Sequence, residues 1–218
     1  MPEPMPAAAG DAVKVYLAPT GVANLASIMA AFRRAPAEPI LAANPAELAA
    51  ADFAVVPGVG SFGSAMSALR ASGMDEAIKD RITRGKATMG VCAGMQVFFE
   101  GSEESPGVAG LGIAAGYFKR FPSDLPVPQL GWNLVSPGEP PEGRIRRGWA
   151  YFANSYRLSD APKEFAASWA EYGEPFVAAL EKPPLLLCQF HPELSGPWGL
   201  DLIRAWLGAS AGQTGGTA

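Results

Sequence analysis

The sequence predicts an α/β protein: a mostly parallel β-sheet covered by helices on both faces, with an additional antiparallel β region in the second half. The first half supports the parallel sheet, because short apolar runs alternate there with helical patterns across short connections. From 110 to 187, short β-like runs are separated by many prolines and glycines, which favours antiparallel pairing. No internal repeat or long linker divides the chain, so we expect one domain.

The individual elements follow from hydrophobic spacing. Buried strands are predicted at five short apolar runs, namely Val13–Leu17, 39–42, Phe53–Val56, Ala87–Val91 and 185–190. Helices are predicted at 25–32, where apolar residues recur every three or four positions, at 63–84 with a break near Gly73, at 93–100 and at 198–207. Further β-like runs lie at 113–121, 132–135 and 150–158.

Size and composition restrict the class of protein. A chain of 218 residues with 49% hydrophobic and 17% charged residues can form one full core and has the balance of a soluble globular protein. The net charge of −4 and the scattered Lys and Arg residues argue against a nucleic-acid partner, and no apolar run approaches a membrane span. We expect a single domain over 12–208, flanked by disordered tails at 1–11 and 209–218.

Two features bear on the compartment. The N-terminal segment lacks the basic start and apolar centre of a secretory signal. Two cysteines in a chain of this length fit a reducing environment better than a disulfide. We therefore expect a cytoplasmic protein with two free thiols.

The strongest chemical signal is Cys92, which lies between a predicted strand and a predicted helix in the motif Gly90-Val-Cys-Ala-Gly94. In this position, Gly-x-nucleophile-x-Gly is typical of a sharp turn that presents the nucleophile at the carboxyl end of a sheet. The turn places the sulfur at a helix N-terminus, which favours a thiolate, and leaves the N–H of Ala93 free to face an oxyanion. The alternative is a buried structural cysteine, the interpretation that we favour for Cys188.

His191 is the only histidine of the chain and so the only candidate base for this cysteine. Pro192 disfavours helix at the preceding residue and holds the histidine extended. In an extended segment, residues i and i+2 point to the same side, so we expect Glu193 to accept a hydrogen bond from the imidazole. Alone, this histidine could equally be a capping or surface residue. Together with the cysteine, the three side chains are the parts of a thiol-dependent acyl-transfer enzyme.

A second glycine-rich loop follows the third predicted strand. Gly58, Gly60 and Gly63 match the spacing of a dinucleotide-binding fingerprint, but the region about 20 positions further on is predicted to be helix rather than the end of a second strand. We favour the backbone of Gly58, Val59 and Gly60 as a source of an oxyanion donor that complements Ala93. A nicotinamide-dependent oxidoreductase is the weaker alternative.

Five motifs resemble those of the class I, or triad-type, glutamine amidotransferases, and most closely the glutaminase subunits of imidazole glycerol phosphate synthase. They are 57–63 (PGVGSFG), 90–96 (GVCAGMQ), 131–133 (GWN), 152–156 (FANSY) and 189–196 (QFHPELSG). All triad amidotransferases share the Cys and His-Pro-Glu motifs, whereas the first and third motifs point to the subfamily. The resemblance runs over 13–207 and implies a flavodoxin-like version of the α/β fold.

The resemblance also implies specific roles. Cys92 would attack the side-chain amide of L-glutamine, His191 would act as acid and base, and Glu193 would hold the imidazole. The positions that match the family's glutamine-binding residues are Gln96, Ser155 and Tyr156. The ammonia would pass to a cyclase subunit, a (β/α)₈ barrel that forms a heterodimer with the glutaminase and makes imidazole glycerol phosphate in histidine biosynthesis. No metal or organic cofactor is implied.

The chain departs from the family pattern outside the triad. The unusual residues are Ala93 for leucine, Asn154 for histidine, Gln129 and Leu130 where a histidine precedes Gly-Trp-Asn, Leu194 for lysine, and 18–21 in place of a segment that begins Asp-Tyr-Gly. The loop after the first strand and the region around Leu194 face the partner in this family. We therefore expect the docking surface to differ.

Two other functions remain open. A non-catalytic regulatory subunit would keep the fold with a broken triad, whereas Cys92, His191 and Glu193 are all present. A free-standing or other-pathway triad glutaminase would hydrolyse glutamine at full rate without a partner. The subfamily motifs argue against the second, by resemblance only.

Overall fold

The computed structural model of the protein describes residues 12–21 and 24–211. Its strands are β1 (Val13–Leu17), β2 (Ala37–Leu41), β3 (Phe53–Val56), β4 (Ala87–Val91), β5 (Gly101–Ser102), β6 (Tyr117–Arg120), β7 (Gln129–Pro137), β8 (Gly148–Asn154), β9 (Tyr156–Arg157), β10 (Ala166–Tyr172), β11 (Glu174–Lys182) and β12 (Leu185–Cys188). Its helices are α1 (Leu25–Arg34), α2 (Pro45–Ala50), α3 (Phe62–Ser72), α4 (Met74–Thr83), α5 (Ala93–Gln96) and α6 (Gly196–Ala211), with a 3₁₀ turn at Pro192–Leu194. The predicted tail at 1–11, and residues 212–218 of the tail predicted at 209–218, lie outside the described residues.

Within this part of the chain, nine strands form one sheet in the order β2-β1-β3-β4-β12-β11-β10-β7-β8. The strands from β2 to β12 in this order are parallel to one another. From β12 onward each strand is antiparallel to its neighbour. The predicted parallel sheet and antiparallel region are confirmed, and the two are halves of one continuous sheet.

Helices cover both faces of the parallel half, as β3 illustrates. Its four residues are all buried, and successive side chains of a strand point to opposite faces. Phe53 and Val55 belong to a core layer with α1 and α6, whereas Ala54 and Val56 belong to a second layer with α2, α3 and α4. Of the helices that the structure describes, none combines the length and the apolar character needed to cross a membrane.

Helix α2 has no counterpart among the predicted elements, although its signal is present in the sequence. Asn44 accepts a hydrogen bond from the N–H of Glu47 at 3.0 Å, and the Glu47 carboxylate accepts from the N–H of Ala43 at 3.0 Å. This arrangement resembles a capping box, except that Glu47 accepts from the residue before the N-cap and not from the N-cap itself. Pro45 occupies the first helical position, where its missing N–H costs nothing.

Helix α5 is shorter than predicted: it ends at Gln96, so the expected helix over 93–100 is wrong beyond its first turn. The carbonyl of Val97 accepts from the N–H of Leu111 at 2.8 Å, and that of Phe98 accepts from Ile113 at 2.9 Å. These carbonyls bond to a distant segment instead of to the next helical turn. Local spacing carries no information about such a partner.

Several further boundaries differ from the prediction. The runs 113–121, 132–135 and 185–190 correspond to β6, β7 and β12, and the helices predicted at 25–32 and 198–207 are longer, as α1 and α6. The run 150–158 divides between β8 and β9, because β9 leaves the large sheet and pairs with β6 in a second sheet of β5, β6 and β9. Strand β2 spans Ala37–Leu41 rather than 39–42. Helix α6 includes 209–211, which the prediction assigned to the disordered tail.

Three motif-bearing loops leave neighbouring strands at one edge of the sheet. The register places the last residue of β3 beside Gly90 of β4, and the last residue of β12 beside Val91 of β4. Because the three strands are parallel, the loops 57–63, 92–96 and 189–193 emerge together at their carboxyl ends. Ligands of open α/β sheets bind at this edge.

Candidate active site

Cys92 occupies a strained turn between β4 and α5. Its φ of 55° and ψ of −118° lie in a region that residues with a side chain seldom adopt. Two backbone bonds hold the turn: the Cys92 N–H donates to the Cys188 carbonyl at 2.7 Å, and the Cys92 carbonyl accepts from Met95 at 2.9 Å. The predicted sharp turn is confirmed. Only 7% of Cys92 is exposed, so its reach is restricted to the cavity described below.

Two glycines allow the loop after β3 to pack directly against this turn. A Cβ at Gly94 would lie 1.9 Å from the carbonyl oxygen of Val56, and a Cβ at Gly58 would lie 2.2 Å from the nitrogen of Gly94. Non-bonded heavy atoms do not approach so closely, so any side chain at either position would separate the loop from the turn. The two motifs are therefore interdependent parts of one structure.

The predicted oxyanion donors lie on both sides of this contact. The N–H of Ala93 finds no acceptor among the described residues, as is usual for the first N–H groups of a helix. In the facing loop, Gly58 is buried, whereas Val59 and Gly60 are exposed, Gly60 with a φ of 109°. Ala93 and Gly60 line the same cavity as Cys92, and Gly58 and Val59 do not.

His191 is extended, as its following proline predicts, with φ −98° and ψ 95°. Its N–H donates to the carbonyl of Tyr151 on β8 at 2.9 Å. Its Nδ1 lies 2.9 Å from Oε1 of Glu193, and both side chains are buried. The predicted contact between imidazole and carboxylate is present in the structure.

The geometry that produces this contact is not the predicted one. Glu193 lies in a 3₁₀ turn, so the argument from alternating side chains of an extended segment is wrong for this residue. The His191 carbonyl closes the turn, because it accepts from the N–H of Leu194 at 3.1 Å and from the Ser195 hydroxyl at 2.6 Å. The turn brings the carboxylate back towards the ring two residues earlier.

The surroundings of His191 determine its charge. Burial lowers the pKa of His191, but hydrogen bonds to Cys92 and Glu193 and the charges of these two groups outweigh burial and raise the pKa from 6.5 to about 10. The ring is therefore protonated at neutral pH. With Nδ1 on the carboxylate, Nε2 is the nitrogen available to the sulfur. The arrangement is an acid poised to donate a proton next to a nucleophile.

The Cys92 sulfur has two other polar neighbours. The carbonyl of Ala153 on β8 lies 4.0 Å from it, and Nε2 of Gln189 lies 3.8 Å from it. Gln189 is completely buried, and its Oε1 accepts from Nε2 of Gln96 at 3.0 Å. Gln189 is the first residue of the motif 189–196, but the sequence did not predict a role for it.

Cys92 faces a cavity of about 370 Å³, within the usual range of small-molecule sites. Its walls are Gly60, Ser61, Cys92, Ala93, Gln96, Glu104, Ala153, Asn154, Ser155 and Tyr156. The three predicted substrate-binding residues are thus brought together beside the predicted nucleophile, whereas His191 and Glu193 are buried and do not line the cavity. A second cavity, of about 840 Å³, lies between α6 and the loop before β8, and none of the predicted site residues lines it.

Glu104 lines the cavity but was not predicted as a site residue. Its Oε2 accepts from the N–H of Phe62 at 2.6 Å, at the start of α3, where a carboxylate is favoured by the helix dipole. The neighbouring Ser105 hydroxyl accepts from Gly63 at 2.9 Å. These contacts place a carboxylate at the cavity from a segment distant in sequence. No local pattern marks Glu104, because its neighbours in the site come from other loops.

Two departures from the family pattern prove to be neighbours. Gln129 on β7 and Asn154 on β8 are directly paired across the two strands, and both are buried. Nδ2 of Asn154 donates to the Tyr156 carbonyl at 3.0 Å. Within the described residues, Gln129 Oε1 and Asn154 Oδ1 have no hydrogen-bond donor. The two carboxamides that differ from the family pattern are therefore adjacent in the structure, and Asn154 lines the cavity.

Part of the chain matches a known family of protein domains. Residues 28–119 match the CobB/CobQ-like glutamine amidotransferase domain. This range contains Cys92 and ends before His191, so it covers the nucleophile loop but not the proposed base.

Two curated relatives match nearly the whole chain, and both are named imidazole glycerol phosphate synthase subunit HisH. The protein from Symbiobacterium thermophilum is 35% identical over 196 residues, which cover 88% of this chain and 92% of the relative. The protein from Thermus thermophilus is 42% identical over 195 residues, which cover 88% and 95%. The matches therefore include both the cysteine and the histidine segments.

Among solved structures, a crystal structure of a glutamine amidotransferase aligns with a TM-score of 0.73 and 18% identity, over 91% of this chain and 99% of that one. At this identity the likeness establishes the fold alone. The fold is the α/β arrangement that the sequence predicted.

Proposed function

This chain belongs to the HisH family of imidazole glycerol phosphate synthase subunits, and we propose that it hydrolyses L-glutamine to glutamate and ammonia as the glutaminase subunit of such a synthase. The ammonia passes to a cyclase subunit for imidazole glycerol phosphate synthesis in histidine biosynthesis. The observation that carries the proposal is the position of Cys92, on a strained turn at the wall of a cavity, together with a buried His191 that is paired with Glu193 and interacts with Cys92. The two free thiols support a cytoplasmic location.

The first half of the reaction forms a thioester. The Cys92 sulfur attacks the side-chain amide carbon of glutamine, and the carbonyl oxygen becomes an oxyanion. When the carbon–nitrogen bond breaks, protonated His191 gives its proton to the departing ammonia. The raised pKa of His191 keeps that proton available at neutral pH. Glu193 holds the imidazolium through Nδ1 and stabilises its charge.

The second half hydrolyses the thioester. His191, now neutral, takes a proton from a water molecule that attacks the thioester carbon. The carbon–sulfur bond breaks, glutamate leaves, and the thiolate and imidazolium are restored. Both halves pass through an oxyanion, which we assign to the N–H of Ala93 and to one N–H of the loop Gly58, Val59 and Gly60. One such donor contributes about 2.7–4 kcal/mol to lowering the barrier.

Substrate recognition requires complementary charges, because free glutamine carries an α-ammonium and an α-carboxylate. Among the described residues that line the cavity, Glu104 is the one carboxylate. Its Oε2 is bound to the N–H of Phe62, and we propose that its Oε1 accepts a hydrogen bond from the α-ammonium of glutamine. Gln96, Ser155 and Tyr156 supply polar groups along the rest of the wall. A hydrogen bond to a charged group is worth about 1.5–3 kcal/mol, enough to dominate affinity for so small a ligand.

Glu104→Gln is expected to raise the KM for glutamine by about tenfold or more, since it removes the charge that faces the ammonium. A carboxamide oxygen can still accept from the N–H of Phe62, so the start of α3 should survive. Steady-state kinetics with saturating partner subunit measure the effect. Glu103→Gln, in the adjacent residue that does not line the cavity, is the control, and an equal rise in KM there would contradict the assignment.

An exposed apolar surface lies beside the site, and we propose it as the docking surface for a cyclase subunit of (β/α)₈ barrel fold. It consists of Leu130 and Trp132 on β7, Trp149 on β8, and Leu194, which are 68%, 55%, 58% and 36% exposed. The register of β7 and β8 places the three strand residues on one face. Clustered exposed apolar residues, and tryptophans above all, are typical of protein interfaces.

The position of this surface supports coupling between docking and catalysis. Strand β8 carries Trp149 on the proposed interface, and its Tyr151 carbonyl binds the N–H of His191. The Ala153 carbonyl of the same strand lies 4.0 Å from the Cys92 sulfur. A partner that shifts β8 therefore acts directly on the backbone next to the nucleophile and the base.

Trp132→Ser is expected to weaken binding of the cyclase subunit by at least tenfold, because a central tryptophan of an interface commonly contributes 2 kcal/mol or more. Titration calorimetry with the cyclase measures the Kd. Leu41→Ser removes a residue that is similarly exposed, at 45%, on the opposite edge strand β2, and should leave the Kd unchanged. Equal losses in the two variants would place the interface elsewhere.

Glutamate release from glutamine tests the function as a whole, with the chain alone and with a cyclase subunit loaded with its phosphoribulosyl-formimino nucleotide. We expect release that rises steeply only with the loaded partner. A high rate that ignores the partner would identify a free-standing glutaminase. No release under either condition would identify a non-catalytic subunit.

A further inference from the structure

We propose that Gln189 is a positioning residue for glutamine hydrolysis, which sets the orientation of Gln96 and donates a hydrogen bond to the sulfur of Cys92. The inference rests on the proposed glutaminase function and deepens it. Gln189 follows β12 directly, and its side chain connects a predicted substrate-binding residue to the predicted nucleophile.

The burial of Gln189 requires that both ends of its carboxamide be bound. The residue is 0% exposed, and its backbone N–H donates to the carbonyl of Ala178 on β11 at 2.9 Å. A carboxamide removed from water is costly unless its donor and acceptor are satisfied. Oε1 accepts from Gln96 at 3.0 Å, and Nε2 faces the Cys92 sulfur at 3.8 Å. Gln189 does not line the cavity, so it acts through these two neighbours.

The first consequence concerns Gln96, which does line the cavity. A carboxamide has one acceptor end and one donor end. Because Nε2 of Gln96 is bound to Gln189, Oε1 of Gln96 is the end left for a ligand. An acceptor at this place suits the N–H donors of glutamine, namely its ammonium and its side-chain amide. Without Gln189, either end of Gln96 could face the substrate.

The second consequence concerns the sulfur. A thiolate only accepts hydrogen bonds, so an N–H placed beside it favours the reactive form over the thiol. Gln189 supplies such an N–H from the end of β12, at 3.8 Å from the sulfur. One buried carboxamide thereby orders the substrate-binding side chain and stabilises the nucleophile. Methionine, of similar size, would provide neither interaction.

A double-mutant cycle separates the two effects. The four proteins are the wild type, Gln96→Met, Gln189→Met and the double variant. Each is assayed for KM with saturating loaded partner, and, without glutamine, for the rate of Cys92 alkylation by iodoacetamide at pH 7. We expect each single variant to raise KM by about tenfold, and the double variant to raise it no further, because Gln189 acts on the substrate through Gln96. Alkylation should slow several-fold in Gln189→Met and change less than twofold in Gln96→Met.

Controls address folding and the second thiol. Cys188→Ala alters the buried neighbour of Gln189 and should leave KM and alkylation unchanged, whatever it does to the thermal midpoint. If Gln189→Met does not fold, Gln189→Glu keeps an acceptor for Gln96 and should hold KM within about threefold of wild type. A tenfold rise in that variant would overturn the assignment.

The outcomes distinguish this inference from the proposed function. Additive effects on KM, or alkylation rates equal to wild type in Gln189→Met, would reduce Gln189 to a packing role while the glutaminase function stands. If the wild type releases no glutamate with the loaded partner, the proposed function fails. The alkylation rates still test the contact between Gln189 and Cys92 in that case.

Discussion

Cys92→Ala is expected to reduce glutamate release to the background rate, with or without the partner subunit, because the thioester cannot form. Removal of the nucleophile from a triad enzyme typically costs on the order of 10⁶ in kcat. The fold should persist, since alanine is smaller and the strained turn is held by backbone bonds to Cys188 and Met95. Glutamate assays, circular dichroism and titration with the cyclase subunit measure activity, fold and docking.

The second cysteine provides the matched control for this prediction. Burial, with the negative charges of Glu181 and Glu193, raises the pKa of Cys188 well above its usual range, so its thiol stays neutral and unreactive. Cys188→Ala should therefore keep glutaminase activity. Significant activity in Cys92→Ala, or loss of activity in Cys188→Ala, would contradict the assignment of Cys92 as the nucleophile.

His191→Asn is expected to lower kcat by about 10²–10⁴-fold, because both the release of ammonia and the hydrolysis of the thioester need a proton-transfer group. Asparagine is close in size and retains an N–H that can reach Glu193. The loss should therefore reflect chemistry rather than collapse of the turn that Ser195 closes. Steady-state kinetics with the loaded partner give the value. A loss of only a few-fold would mean that another group can serve as acid and base.

The same variant tests the charge of His191 through stability. Burial lowers the pKa of His191, yet its hydrogen bonds to Cys92 and Glu193 raise it from 6.5 to about 10. A group whose pKa is raised in the folded state stabilises the fold fully below its unfolded pKa, and that contribution is lost as pH rises through the folded value. Urea unfolding of the wild type should therefore show stability falling between pH 6.5 and 10. In His191→Asn this part of the decline should be absent, and an unchanged pH dependence would contradict the assigned charge.

Much of the fold was predictable because its determinants are local. The strands β1, β3 and β4 were predicted with the bounds that the structure has, since a short apolar run between turn residues has few other conformations. The break between α3 and α4 at Gly73 was also predicted, because glycine interrupts a helical pattern; its φ of 70° is a conformation that glycine adopts readily. Helix α2 was not predicted, although Asn44, Pro45 and Glu47 are a helix-start signal that is present in the local sequence.

The length of α5 could not be predicted in this way. Residues 93–100 have a helical composition, but the carbonyls that would extend the helix bond to the segment around Leu111. Hydrogen bonds between distant segments are decided by how the chain packs. Helix propensity, worth a few tenths of a kcal/mol per residue, is easily overridden by them.

The candidate site divides in the same manner. Cys92, His191 and Glu193 could be named from the sequence, because a strand followed by Gly-x-Cys-x-Gly and a single histidine before proline leave few alternatives. The contact between His191 and Glu193 was predicted for an incorrect reason, since a 3₁₀ turn and not an extended strand produces it. The sequence identified Glu193 as the carboxylate nearest to His191 along the chain. The turn that brings the two side chains together is held by the hydrogen bond from the Ser195 hydroxyl to the His191 carbonyl.

By itself, the sequence determined the alternation of strands and helices, the turn that carries the nucleophile, and the family to which the chain belongs. Only the tertiary structure placed Glu104 in the cavity wall and joined Gln189 to Gln96 and Cys92. The physical reason is the range of the interactions. Glycine turns and apolar periodicity act between neighbours in the chain, but a cavity and its hydrogen bonds are made by side chains that come together only when the parallel strands align.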